Sequence, residues 1–171
     1  PRKMRRFITP MLPIPLLGMT VLEVGANAGV NLVWAIRQGA RLAVGIEPDS
    51  RYRQQALLVR QCLGLQDKMK IMPDLSHAET YLFYEGTQWD VHARDKRIGL
   101  LCAVLRHIPE AERVPTLKRM GTLCRWLVVN GNGLSDAPDG DSDKTICAYL
   151  RTAGLQVDRW KCEQHCRGLV L

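Results

Sequence analysis

A short apolar run followed by a glycine-containing turn, T-V-L-E-V-G-A-N-A-G at residues 20–29, most constrains the fold of this chain. The run at 21–24 is too short for a helix and rich in β-branched residues, which predicts a buried strand. Gly25 and Gly29 allow the next turn to approach a ligand closely, because neither carries a Cβ. Residues 30–38 then have helical spacing. The unit is strand, turn and helix, and in open α/β sheets ligands bind at such turns.

Six further apolar runs predict strands, at 41–47, 68–72, 98–105, 123–129, 155–161 and 168–171. Segments with helical features lie between most of them, at 30–38, 50–63, 77–84, 109–121 and 142–153. The nearly continuous apolar character of 41–47 indicates a strand covered on both faces. The alternation predicts an α/β fold: a doubly wound, seven-stranded, mostly parallel sheet with an antiparallel C-terminal hairpin and helices on both faces.

The helix after the second strand has the clearest pattern. Ser50 can cap its first turn through the side-chain oxygen. Tyr52, Ala56, Val59 and Leu63 recur at intervals of four, three and four residues. This spacing predicts a buried stripe along one face of the helix.

The 171 residues, 46% hydrophobic and 24% charged, predict one globular domain over 1–171, with 1–18 as an irregular or helical lead-in. No apolar run approaches the roughly 18 residues of a membrane span. The segment 8–18 follows basic residues, but it contains three prolines and runs into the first strand, so we expect no targeting segment. Six scattered cysteines in a chain of this size are typical of reduced thiols in a cytoplasmic protein.

The formal net charge of +7 favours polyanionic partners. Its densest basic patch contains Arg2, Lys3, Arg5 and Arg6. Such patches indicate RNA or DNA binding, and a solvated basic surface is the alternative. Cys162, His165 and Cys166 lie close in sequence, but no second pair stands at a ligand-forming distance, so we predict no metal site.

Two kinds of ligand compete for a glycine turn of this type. A dinucleotide site has G-x-G-x-x-G, in which the middle glycine lets the pyrophosphate approach. Here Asn27 stands in place of that glycine. Glu23 precedes the turn, where a carboxylate repels phosphate and attracts a cation or an amino group. Glu47 ends the second strand and can accept hydrogen bonds from both hydroxyls of a ribose. The pattern disfavours a dinucleotide.

E-V-G-A-N-A-G, together with Glu47, resembles motif I and the following acidic position of the class I S-adenosylmethionine-dependent methyltransferases. The resemblance extends from about residue 18 to 171. A-V-L-R-H-I-P at 103–109 is similar to the family's fourth strand and its exit, and 150–154 with the two closing strands resembles its last helix and hairpin. The resemblance implies S-adenosylmethionine as cofactor and methyl transfer as activity. Within the family, G-A-R-L-A-V-G-I-E-P at 39–48 is also similar to bacterial transferases that modify the wobble uridine of tRNA.

The resemblance further implies which residues contact the cofactor: Glu23, Gly25, Asn27, Gly29, Glu47, Asp74, Leu75 and Ala103. Glu23 would lie near the amino group of the methionine moiety, Glu47 would bind the ribose, and Ala103 would back the sulfonium. Asp74 and Leu75 would contact the adenine. Two alternatives remain, since the glycines can form a tight turn without a ligand and Asp74 can be a capping carboxylate.

Methyl transfer is an in-line displacement, so alignment of the reactants is the protein's main contribution. His107 is expected near the mouth of the site, where an imidazole can act as a catalytic base, or it is a polar loop residue lying against the cofactor. Two other functions stay open. One is a catalytically silent cofactor-binding scaffold, and the other is an RNA-binding module. The sequence specifies neither the acceptor nor the oligomeric state.

Overall fold

The structure is a computed structural model, and it describes residues 8–12, 14–84, 93–131, 143–157, 159–163 and 166–170. Its centre is a set of five parallel strands, which lie in the order β3 (Met69–Met72), β2 (Leu42–Ile46), β1 (Thr20–Val24), β4 (Arg97–Cys102) and β5 (Trp126–Gly131). Beyond β5 the sheet continues with two antiparallel strands, β7 (Cys166–Val170) and then β6 (Arg159–Glu163). The predicted α/β class with a parallel sheet is confirmed.

Both faces of the parallel strands are covered, which explains why every residue of β1 and β2 is buried. The helices are α1 (Val30–Arg37), α2 (Ser50–Cys62), α3 (Leu75–Tyr84), α4 (Glu110–Leu123) and α5 (Asp143–Thr152). Leu22 packs with residues of α3, α4 and α5 on one face, and Val21 packs with residues of α1 on the other. In the described part of the chain, no helix combines the length and the apolar character that a bilayer crossing requires.

The lead-in before β1 belongs to the hydrophobic core. Ile8, Met11 and Leu16 are buried in the same cluster as Val21 and Trp34. Full burial of such a side chain stabilises a fold by roughly 1.5–3 kcal/mol. The described residues of this segment include a 3-10 turn at Thr9–Met11. The lead-in therefore closes one face of the sheet.

The predicted buried stripe on α2 is wrong. Ala56 is its one buried residue, whereas Tyr52 is 39% exposed and Leu63 is 44% exposed. The helix α2 contacts the turn after β1 through two small residues, Ala56 and Gly29, and larger side chains at these positions would hold the helix away from the turn. Only a narrow strip of α2 is then covered. The cap also differs by one residue, since the Asp49 carboxylate accepts the backbone N–H of Arg51 and Ser50 is already helical.

The boundaries around the fourth strand differ as well. β4 ends at Cys102, three residues before the predicted end, because Ala103 has a φ of +57° and cannot continue an extended strand. A 3-10 turn at Leu105–His107 then leads to α4. The helix predicted to end near 121 continues to Leu123, so β5 begins later than expected.

Candidate functional site

A cleft of about 820 Å³ lies at the carboxyl ends of β1, β2 and β4. The sheet order reverses beside β1, since β2 and β3 lie on one side of it and β4 and β5 on the other. Ligands of open α/β sheets bind at such a reversal. Five of the predicted site residues line this cleft together: Gly25, Asn27, Glu47, Ala103 and His107.

The turn after β1 uses three residues with positive φ, Gly25 at 74°, Asn27 at 50° and Gly29 at 79°. The two glycines serve different surfaces. A Cβ on Gly25 would overlap Cγ2 of Val104, which lines the cleft, whereas a Cβ on Gly29 would overlap the end of Met69 in the core. Gly25 therefore sets the shape of the cleft, and Gly29 permits the packing of α1, α2 and β3.

The Glu47 carboxylate holds two loops together at the floor of the cleft. Oε2 accepts the backbone N–H of Asn27 at 2.8 Å, and Oε1 accepts the backbone N–H of Asp49 at 2.9 Å. Glu47 is 7% exposed. A carboxylate has about four lone-pair sites, so two remain after these bonds. The side chain can thus accept ribose hydroxyls while it keeps the loops in place.

Glu23 lies directly behind the turn and does not line the cleft. Its side chain is completely buried, and Oε1 accepts a hydrogen bond of 2.6 Å from Nδ2 of Asn31. Asn31 is the second residue of α1 and does line the cleft. The polar side chain exposed to a ligand at this position is that of Asn31.

Ala103 forms the wall of the cleft at the end of β4. Its backbone N–H donates to the carbonyl of Asn130 at the end of β5, at 2.6 Å. A positive φ at a residue other than glycine, asparagine or aspartate costs roughly 1–2 kcal/mol. The bond to Asn130 helps to hold Ala103 in this conformation, which turns the chain away from the sheet and opens the cleft.

Asp74 and Leu75 are not brought to the cleft lining. Oδ1 of Asp74 accepts the backbone N–H of His77 at 3.0 Å, and both carboxylate oxygens lie within 2.9 Å of the His77 ring. The hydrogen bond from the His77 side chain, then that from its backbone, holds the pKa of Asp74 below its usual value. Asp74 therefore caps α3, and Leu75 packs into the core on the side of α3, α4 and α5.

His107 lines the cleft from the 3-10 turn after β4. Nε of Arg106 lies 3.1 Å from Nε2 of His107. A guanidinium has donors only, so Nε2 is the acceptor in this pair and the proton of a neutral ring is placed on Nδ1. In this arrangement the basic nitrogen is engaged by Arg106, and it could accept a substrate proton only after Arg106 moves away.

The cleft-lining residues that sequence reasoning missed include Asn31, Asp49, Tyr52 and Val104. Tyr52 was assigned to the core by its spacing. Asn31 had a recognisable signal, because it is the one polar side chain in the first turn of V-N-L-V-W-A-I-R. It also follows Glu23 by only eight residues. The described residues contain no group of three metal-binding side chains in reach of one ion. The side chains of Cys162, His165 and Cys166 lie outside what the structure describes.

No family model matches the chain. Among solved structures, an S-adenosylmethionine-dependent methyltransferase from Aquifex aeolicus has a TM-score of 0.73 at 16% identity, over 99% of this chain and 92% of that one. The magnesium protoporphyrin IX methyltransferase from Synechocystis, with bound S-adenosylmethionine, has a TM-score of 0.61 at 19% identity, over 91% and 70%. At these identities the likeness is one of fold. The chain has the class I methyltransferase fold.

A curated relative is more similar in sequence over a short segment. The tRNA U34 carboxymethyltransferase from Photorhabdus laumondii is 39% identical over 59 residues, which are 34% of this chain and 18% of the relative. The match therefore spans less than a fifth of the relative's length.

Proposed function

We propose that this chain binds S-adenosylmethionine in the cleft and transfers its methyl group to an acceptor. The observation that carries the proposal is the meeting of Gly25, Asn27, Glu47 and Ala103 around one cleft at the sheet reversal of this fold. The cleft fits the cofactor at Glu47, which retains acceptor sites for a ribose. The missing Cβ of Gly25 lets Val104 pack against the turn and so sets the wall of the cleft.

The chain's own residues would bind and align the reactants. When bound, the cofactor supplies an electrophilic methyl group on a sulfonium. Glu47 would hold the ribose, and the backbone around Ala103 would form the wall against which the reacting part lies. Alignment of this kind is worth several kcal/mol of the barrier, on the order of 7–11 in the most favourable systems. His107 lies at the same cleft, and its role as a base stays a prediction.

RNA is the acceptor class that we propose. The support is the net charge of +7 and the local sequence similarity to a tRNA U34 carboxymethyltransferase. The wobble uridine of tRNA is therefore the first acceptor to test. Mass spectrometry of the modified nucleoside would distinguish an added methyl from an added carboxymethyl group.

Isothermal titration with S-adenosylhomocysteine tests the cofactor site, with two glycine variants as a matched pair. Gly25→Ala and Gly64→Ala both place alanine at a positive φ, 74° and 64°, which costs roughly 1–2 kcal/mol of stability in each case. Only the first adds a Cβ that meets the cleft wall, because nothing lies within 4 Å of Gly64. We expect the affinity to fall at least about tenfold in Gly25→Ala and to stay unchanged in Gly64→Ala. Folded wild-type protein that binds no ligand would refute the proposal.

Incubation with labelled methyl donor and fractionated RNA, protein and small molecules tests the transfer itself. A catalytically silent scaffold would bind the cofactor and label no fraction. An RNA-binding module would bind RNA in a salt-dependent way that the cofactor does not affect. Label in the RNA fraction supports RNA as the acceptor class. Label in the protein or small-molecule fraction supports methyl transfer but contradicts RNA as the acceptor.

The finer predictions belong to the same proposal. For contacts from Glu23, Gly29, Asp74 and Leu75 to the cofactor the resemblance is the one support, since none of the four lines the cleft. The seven-stranded sheet with an antiparallel closing hairpin is supported by the pairing of β7 with β5 and of β6 with β7. A cytoplasmic location stays a prediction.

A further inference from the structure

Asn31 stands between a buried carboxylate and the cleft. The side chain of Glu23 is 0% exposed, so it offers no surface to a ligand. Its Oε1 lies 2.6 Å from Nδ2 of Asn31. Asn31 is partly buried and lines the cleft. A ligand that approaches the first turn of α1 therefore meets the Asn31 amide and not the Glu23 carboxylate.

The orientation of the amide follows from the chemistry of its partner. A carboxylate has acceptor oxygens only, so the nitrogen of the Asn31 amide must face Glu23. Oδ1 is bonded to the same carbon as Nδ2 and points away from Glu23. It is an acceptor with two lone pairs. Glu23 thus determines which end of the amide faces away from the core.

The buried carboxylate also determines which ligand group suits this oxygen. In its ionised form Glu23 places a negative charge behind the amide, which favours a positive group in front of it and disfavours another carboxylate. The methionine moiety of the proposed donor carries one ammonium and one carboxylate. The ribose hydroxyls have acceptor sites at Glu47, which leaves the ammonium as the group that Asn31 fits best.

We propose that Oδ1 of Asn31 accepts a hydrogen bond from the amino group of the donor's methionine moiety, and that Glu23 is the positioning residue behind it. This assignment rests on the proposed function. It replaces the direct contact expected for Glu23 by a relay of two side chains. The competing explanation is that Asn31 merely satisfies the buried carboxylate.

Two ligands separate these explanations in isothermal titrations of the folded protein. S-adenosylhomocysteine carries the amino group, and 5′-methylthioadenosine keeps the nucleoside and the sulfur but lacks the amino acid part. In Asn31→Ala we expect the affinity for the first to fall on the order of tenfold, as for one lost hydrogen bond to a charged group. The affinity for the second should not change. Gln55→Ala removes an exposed amide from α2 and is the matched control, with no expected change for either ligand.

Glu23 variants test the positioning role. Glu23→Gln keeps an oxygen that can accept from Nδ2 of Asn31 but removes the negative charge, so it should lower the S-adenosylhomocysteine affinity less than Glu23→Leu does. Glu23→Leu should lower that affinity and spare 5′-methylthioadenosine. If Glu23→Leu does not fold, Asn31→Ala decides alone. Equal losses for both ligands in Asn31→Ala, or no loss for either, would overturn the assignment. Wild-type protein that binds neither ligand would instead overturn the proposed function.

Discussion

Glu47 holds two loops together in this structure, and the proposed function gives it a second role that a double-mutant cycle can separate from the first. Its carboxylate joins two loops through the N–H groups of Asn27 and Asp49, at 2.8 and 2.9 Å. The proposed function adds ribose hydroxyls at the two remaining acceptor sites. In Glu47→Gln one oxygen becomes an NH₂ group, which cannot accept a backbone N–H. Any loss of cofactor affinity in this variant therefore includes a loss from the disturbed loops.

The ligand side of the cycle removes one ribose hydroxyl at a time. S-adenosylhomocysteine and its 2′-deoxy and 3′-deoxy analogues are titrated into the wild type and into Glu47→Gln. A hydrogen bond to a charged group is worth roughly 1.5–3 kcal/mol. If Glu47 binds a hydroxyl, removal of that hydroxyl and the Glu47→Gln change should show a coupling energy of about this size. The loss of affinity caused by the missing hydroxyl would then be roughly 10- to 100-fold smaller in the variant than in the wild type.

The loop-holding role has its own readout and control. Glu79 accepts two bonds from Arg119 at 2.9 and 2.6 Å, far in sequence from the cleft residues. Both Glu79→Gln and Glu47→Gln should lower the urea midpoint, and Glu79→Gln should show no coupling with either deoxy ligand. Coupling energies below about 0.5 kcal/mol for both hydroxyls in Glu47→Gln would refute ribose binding. Glu47 would then be a loop clamp alone.

Three further outcomes follow from single residues. Burial raises the pKa of Cys124 from 9.0 to about 12, against the opposing effect of Arg97 and Arg94, so unfolding releases a proton above pH 9. Stability should fall by about 1.4 kcal/mol per pH unit between pH 9 and 12, and urea titrations should show this slope reduced in Cys124→Ala. Asp74→Ala should lower the urea midpoint at pH 7 and lose its effect in acid, as the lowered pKa of Asp74 is passed. The capping role predicts unchanged nucleoside affinity, and a fall in that affinity would instead support the adenine contact. Ala103→Gly should stabilise the fold by about 0.5 kcal/mol, since relief of positive φ exceeds the entropy cost; a destabilised variant would contradict this.

The central strands could be predicted because their signal is local. Apolar runs bounded by glycine, proline or acidic residues gave β1 and β2 within a residue or two of Thr20–Val24 and Leu42–Ile46. Burial on both faces makes such strands uniformly apolar, so no partner needs to be known. The glycine turn at Gly25 was predictable for the same reason, since its positive φ is a property of a few consecutive residues.

The errors arise where a residue's environment is set by distant parts of the chain. Tyr52 has the spacing of a core residue, but the contact of Ala56 with the region of Gly29 leaves it at the cleft. Ala103 has no local reason for positive φ, and its conformation is supported by the carbonyl of Asn130 on the neighbouring strand. Glu23 stands where a ligand contact was expected, yet α1 covers it and places Asn31 in front. Sequence periodicity contains none of these tertiary contacts.

The replacement of the middle glycine by Asn27 has a physical explanation in the Glu47 bond. In dinucleotide sites the N–H groups at the start of this helix bind a phosphate. Here the Asn27 N–H already donates to a carboxylate oxygen at 2.8 Å. A phosphate at that position would have to displace Glu47 and lie against its negative charge. Asparagine tolerates the φ of 50°, and its side-chain oxygen accepts the N–H of Ala28 at 2.7 Å. The turn therefore keeps its shape but has no free N–H of Asn27 to offer an anion. It favours a nucleoside with a positively charged substituent on its ribose over one with a pyrophosphate there.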